Sequence, residues 1–93
     1  MSSGVRVRLP PILRAAMGQK ASIEGEGTTI GEVLRNISDA NPSLGLHLLD
    51  EGGNPRRNII CLHGGELVRA RDFSAHAVGA GDELVLTNAL AGG

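Results

Sequence analysis

Gly81-Asp82-Glu83-Leu84-Val85-Leu86-Thr87-Asn88-Ala89-Leu90-Ala91-Gly92-Gly93 is a turn, a strand and an arm in succession. Gly79-Ala80-Gly81-Asp82 is turn chemistry, and Asp82 is placed to organise it with a side-chain bond to nearby backbone. Glu83-Leu84-Val85-Leu86-Thr87 is a run of strand formers. Small residues then lead to Gly92-Gly93. Glycine has no Cβ, so a Gly-Gly end is thin and free in its backbone angles. It can enter a narrow channel in another protein and present a carboxylate there. An ordinary frayed terminus looks the same when taken alone. From Thr87 to Gly93 is six steps, which reach roughly 20 Å when extended. Leu90 is the one large apolar side chain on the arm. It either folds back onto the domain or fits a partner's pocket.

Working back from that end, Asn58-Ile59-Ile60-Cys61-Leu62 is a continuous apolar run and predicts a strand covered on both faces. Gly64-Gly65 supplies a tight turn, and Glu66-Leu67-Val68 predicts a short return strand. The stretch 69–78, with Phe73, reads as irregular, with a helical turn around Ser74-Ala75-His76. Near the start, Val5-Arg6-Val7-Arg8-Leu9 alternates strictly and predicts a strand with one buried face. Pro10-Pro11 stops it. Ile12-Leu13 is expected to cover an edge of the core. Gly18-Gln19 is a turn, and 20–24 a second strand that forms a hairpin with the first. Thr29-Ile30-Gly31-Glu32 fits a capping box, and Ile30, Val33, Leu34 and Ile37 follow at helical spacing. Asn41-Pro42 ends that helix. The stretch 43–49 predicts one further helical turn, and 50–55 is a surface loop.

Composition narrows the function classes. At 93 residues the chain forms one domain with a modest core. Phe73 is its sole aromatic residue, so the core is aliphatic and no platform exists for stacking single-stranded nucleic acid. Nine basic residues against ten acidic ones leave a formal net charge of −1, which gives no field to attract a phosphate backbone. A single cysteine excludes an internal disulfide and a four-cysteine metal site. Met1-Ser2-Ser3-Gly4 lacks the apolar core of a signal peptide, and no run approaches membrane-spanning length, so the cytoplasm is the expected location.

The usual catalytic patterns are weak here. Gly25-Glu26-Gly27 with Gly31 only approximates a dinucleotide fingerprint, and Glu26 would set a negative charge beside a phosphate, so a plain loop is expected. His47, His63 and His76 show neither metal-ligand spacing nor a neighbouring carboxylate, and are read as surface or partly packed. Cys61 lies in the most apolar strand and is read as buried and inert. No serine nucleophile motif is present. Arg56-Arg57 and Arg69 with Arg71 form small basic clusters, read as a solvated face or as a rim for an acidic partner.

Pro11-Ile12-Leu13-Arg14, Gly18-Gln19-Lys20, the helix at 29–39, Asn58-Ile59, Gly81-Asp82 and Ala89-Leu90-Ala91-Gly92-Gly93, in this element order, carry a resemblance that spans essentially the whole chain. The chain resembles the ubiquitin-like β-grasp sulfur carriers, the ThiS/MoaD family. Among these it is most similar to the actinobacterial carriers that serve cysteine synthesis. Two departures stand out. Asn88 and Ala89 occupy the place where a proline is common in the family, and Gly64-Gly65 replaces a more polar turn.

The resemblance implies an α+β fold, a ubiquitin-like β-grasp with a mixed four- to five-stranded sheet packed on one main helix. It implies a domain over 1–87 and a flexible C-terminal Gly-Gly tail over 88–93. It also implies a carrier rather than an enzyme. Gly93 would be the site of adenylation and of the thiocarboxylate, with Leu90, Ala91, Gly92 and Gly93 entering a partner's active site. No catalytic residue, metal or bound cofactor is implied for the chain itself, while ATP is used by the activating enzyme. The implied partners are a ubiquitin-activating-type adenylyltransferase/sulfurtransferase, a downstream sulfur-accepting synthase and a metalloprotease for tail processing, with no nucleic acid and no membrane. The chemistry agrees: a carboxylate of pKa ~3.5 is ionised at neutral pH and a poor electrophile, so it needs activation. Two other readings stay open, a protein modifier conjugated through Gly93 and an interaction module without terminal chemistry.

Overall fold

Val5 and Val7 point to one side of a strand and Arg6 and Arg8 to the other, and the strand forms as β1 (Val5–Arg8) with burial alternating accordingly. The computed structural model describes residues 4–88. Residues 1–3 and 89–93, among them Leu90, Ala91, Gly92 and Gly93, lie outside the described residues. Behind β1, Pro11 opens a one-turn helix, α1 (Pro11–Arg14), that buries Leu13 and leaves Ile12 67% exposed, so only one of the pair covers the core. Gly18 and Gln19 turn the chain at φ 65° and 69° into β2 (Ser22–Gly25). β2 returns antiparallel to β1, as the expected hairpin.

Helix α2 (Ile30–Ala40) starts where the capping box places it. The Thr29 hydroxyl accepts the Glu32 N–H at 3.1 Å. The reciprocal arm is shifted by one residue, because Glu32 Oε1 accepts from the N–H and the hydroxyl of Thr28 (2.8 and 3.0 Å). Those bonds hold the Glu32 carboxyl below its ordinary range, the backbone bond first. Ile30, Val33, Leu34 and Ile37 are all buried. Replacing Thr29 with alanine orphans the Glu32 N–H, and is expected to cost about 1 kcal/mol by urea denaturation.

Asn41 ends α2 by bonding the Ile37 carbonyl through both its backbone N–H (3.0 Å) and its side-chain amide (2.9 Å). Pro42 at once starts α3 (Pro42–Leu48), longer than the single turn expected. The two helices cross closely because Gly45 faces Ser38, where an added Cβ would lie 3.2 Å from the Ser38 Cβ. Leu44 and Leu48 complete that wall of the core.

Strands β3 (Ile59–His63), β4 (Glu66–Arg69) and β5 (Glu83–Asn88) finish a five-stranded sheet of order β2-β1-β5-β3-β4. β1 and β5 run parallel at its centre, and hairpins flank them. Gly64 and Gly65, at φ 59° and 87°, make the β3–β4 turn, a conformation that favours glycine at both places. A six-residue 3₁₀ segment, Ala70–Ala75, follows β4 and buries Phe73 completely. The 3₁₀ turns begin earlier than the helical turn expected around Ser74-Ala75-His76 and replace the irregular stretch expected before it.

The helices cover one face of the sheet only, which corrects the expectation for β3. Ile59 and Cys61 face the helices and are buried, whereas Ile60 and Leu62 point to the other face and are half-buried. A continuous apolar run therefore does not mean a strand covered twice. Here it gives the open side of the sheet an apolar surface. Among the described residues, sixteen buried side chains from all the strands but β2, from the helices and from Leu9 form one core.

Candidate functional site

β5 is the element that leads to the C-terminal residues, and it is held on both edges. β1 pairs with it in parallel and β3 antiparallel, down to a pairing of Asn88 with Ile59. Leu84 and Leu86 anchor it in the core, at 0% and 2% exposure. The four residues expected to enter a partner, Leu90 to Gly93, follow this strand outside the described residues.

Around the end of β5 the topology gathers groups that are far apart in sequence. β3 begins here, β4 ends here with Arg69 opposite Ile60, and Ile60 is in turn opposite Thr87. Arg57 and Arg71 lie two residues beyond these strand ends. The paired arginines at 56 and 57 do different things. Arg56 ties its loop to α3 by donating from Nε and Nη2 to the Leu46 carbonyl (3.3 and 3.1 Å), while Arg57 is exposed. On the open face of the sheet, register places Ile60, Leu62, Leu67 and Val85 together. Leu67 is 53% exposed and the other three are half-buried. Arg6, Arg8 and Arg69 alternate onto the same face and rim the patch.

Cys61 sits opposite this face, fully buried, with its thiol pushed up to about 12 by loss of solvent. At that value essentially no thiolate exists at neutral pH, so the group is neither nucleophile nor sulfur relay. Iodoacetamide at pH 8 is expected to leave Cys61 unmodified in the folded protein and to alkylate it fully in 6 M guanidinium, read by intact mass.

His47 is exposed on α3, as read, but His63 and His76 depart from the reading of the sequence. His63 Nε2–H donates to Asp82 Oδ2 at 2.9 Å, and His63 Nδ1 meets His76 Nε2 at 2.8 Å with the rings edge-on. Since a carboxylate only accepts, neutral His63 receives the His76 proton donor at Nδ1. Asp82 also accepts the Gly79 N–H at 2.9 Å. This bond, then His63, holds the Asp82 carboxyl below its ordinary range. The aspartate thus organises its turn by reaching back three residues. His63 does have a carboxylate neighbour, at a separation of 19 residues that no local pattern reveals. Among the described residues no hydroxyl or thiol hydrogen-bonds either ring, so the chain of groups lacks a nucleophile to activate. It pins the start of β5 to β3 and to the segment after Phe73. Among the described residues no three His, Cys, Asp or Glu side chains form a metal-holding group. None of their helices is long and apolar enough to cross a membrane.

Gly25 and Gly27 are explained by packing. A Cβ on Gly27 would lie 2.8 Å from the Val33 nitrogen and from the Glu32 Cβ, and one on Gly25 would collide with Ile37. Glycine lets β2 and its following loop lie against α2; Gly25 closes the strand, and the plain loop expected from Gly25 begins one residue later.

Comparison with known proteins places this geometry. The sequence profile of the ThiS family matches residues 7–93. No curated protein sequence matches the chain. Among solved structures, SAMP1 from Haloferax volcanii is 25% identical at a TM-score of 0.77, over 97% of this chain and 99% of that one. A chain of the Amycolatopsis orientalis BexX/CysO complex is 28% identical at 0.76, over 96% and 99%. Mycobacterium tuberculosis CysO is 26% identical at 0.75, over 92% and 99%.

Proposed function

The chain belongs to the ThiS family, the ubiquitin-like β-grasp sulfur carriers, and from that membership we propose that it carries sulfur as a thiocarboxylate on Gly93. One carboxylate oxygen of Gly93 attacks the α-phosphorus of ATP on an activating enzyme, and pyrophosphate leaves. Sulfur at the level of sulfide then attacks the acyl carbon, and AMP leaves with that oxygen. The product is a C-terminal thiocarboxylate, which a downstream synthase consumes. Cysteine, a cofactor or a sulfur-containing secondary metabolite would be the final product, and the likeness to the two CysO structures favours cysteine.

The observation that carries this reading is the placement of β5. A central strand, paired with β1 as far as Val85 and with β3 as far as Asn88, precedes residues 89–93. Among the described residues the thiol is buried, and His63 and His76 are tied to one another and through His63 to Asp82. The partly apolar open face is the surface on which an activating enzyme or a synthase would sit. That a relative was solved as the BexX/CysO complex supports docking of this kind. The test is incubation with the activating enzyme, ATP and sulfide, followed by intact mass. Exchange of one oxygen for one sulfur is the expected result, and an unchanged mass beside a loaded control carrier refutes it.

A second reading has its own support, since Haloferax SAMP1 is a small archaeal modifier protein of matching size and fold. In that role the same activated Gly93 acyl group would pass to a lysine amine of a target protein. Adducts heavier than the chain, formed only with Gly93 intact, are its signature.

A further inference from the structure

An open cleft of about 700 Å³ runs beside α2, walled by the loop after α3 and by the 3₁₀ segment Ala70–Ala75. Arg35, Arg57 and Arg71 line it together with Glu32 and Asp50. The two carboxylates are already engaged by the chain. Glu32 accepts twice from Thr28, and Asp50 Oδ1 accepts the N–H groups of Gly52 (2.9 Å) and Asn54 (3.0 Å). The guanidinium groups are not. Arg35 reaches only the Gly53 carbonyl at 3.5 Å, and Arg71 lies 3.9 Å from Asp72 with both side chains mostly in solvent. Among the described residues nothing hydrogen-bonds the Arg57 side chain. In a chain of formal net charge −1, this cleft presents three cations whose hydrogen-bond donors are largely free.

Its position matters as much as its charge. Arg57 precedes β3 by two residues, and β3 opens with Ile59, the partner of Asn88. Arg71 follows the end of β4 by two residues, at the same end of the sheet. From Asn88 to Gly93 is five steps, about 17 Å at full extension. An enzyme that closes on Gly93 therefore approaches this end of the molecule. We propose that the cleft docks an extended, acidic peptide segment of the enzyme that adenylates Gly93, with its carboxylates paired to Arg57, Arg71 and Arg35. The identity of that enzyme rests on the carrier reading above. Guanidinium forks match carboxylates two bonds at a time, and exposed charge pairs govern encounter more than chemistry.

Two measurements test this. The ¹⁵N-labelled full chain is titrated with synthetic hexaglutamate and, separately, with inorganic tripolyphosphate. Hexaglutamate is expected to shift amides of α2, of the 50–57 loop and of the 70–74 segment, and to lose this effect in R57Q/R71Q and in high salt. Adenylation is then followed as pyrophosphate release, with thermal melts confirming that the variant folds. R57Q/R71Q is expected to raise KM for the chain about tenfold at unchanged kcat, as loss of steering charges does. An unchanged KM overturns the proposal, as do shifts confined to the open sheet face. A response to tripolyphosphate alone makes the cleft a phosphate site and also overturns it. If the wild-type chain is never adenylated, the carrier reading fails instead, and the hexaglutamate titration still decides whether the cleft takes acidic peptide.

Discussion

Appending one alanine after Gly93 is expected to abolish sulfur loading while the far-UV circular dichroism and the melting midpoint of the domain stay unchanged. The extra residue moves the carboxylate by roughly 3.5 Å. Misplacing a reacting group by even 1 Å can cost about 10²-fold, so the expected loss exceeds a hundredfold. The fold is untouched because the described core stops at β5, whose last buried side chain is Leu86. Deleting Gly92 and Gly93 should have the same effect for the same reason. Normal loading of the extended chain, with mass spectrometry showing the alanine still attached, would contradict the proposed role of Gly93.

The largest effect on stability is expected at Phe73. It is the sole aromatic residue, is completely buried, and is held by a 3₁₀ segment packed against α2, β3 and β4. Truncation to alanine leaves a void that neighbouring Val and Leu side chains fill only in part, at a cost of about 3–5 kcal/mol. A small domain holds only about 5–15 kcal/mol in all, so Phe73→Ala should bring the chain close to its folding threshold. The melting midpoint should fall by more than about 12 °C, at 4–8 °C per kcal/mol for a domain of this size. Phe73→Leu leaves a smaller void and should lose less. A Phe73→Ala midpoint within a few degrees of wild type would show that the 3₁₀ segment is not an integral part of the core.

Most of the fold is legible in local pattern. Alternation at Val5 to Arg8, the Thr29 cap with its helical spacing, the Gly64-Gly65 turn and the final strand each predict their element, because each is set by neighbours in sequence. The expectations that differ from the structure concern what lies across the sheet or along a curved path. The apolar run at 59–62 could not say which of its faces a helix would cover. Composition alone gave 70–75 no helical period, since 3₁₀ turns are stabilised here by burying Phe73 rather than by propensity. The candidate site divides in the same way. The Gly-Gly end is visible in the sequence, because its meaning is local. The His76–His63–Asp82 chain, with separations of 13 and 19 residues, and the cleft that joins Arg35, Arg57 and Arg71 are not, because each closes only when the strands and the 3₁₀ segment are in place.

Where the sulfur sits after loading tests the central claim most directly. Trypsin cuts after Arg57, Arg69 and Arg71, so residues 58–69 with Cys61 and residues 72–93 with Gly93 fall on separate peptides. After incubation with activating enzyme, ATP and sulfide, tandem mass spectrometry is predicted to find the oxygen-to-sulfur exchange at the last residue of peptide 72–93. Peptide 72–93 keeping its unaltered mass, beside a control carrier loaded in the same mixture, would contradict the account.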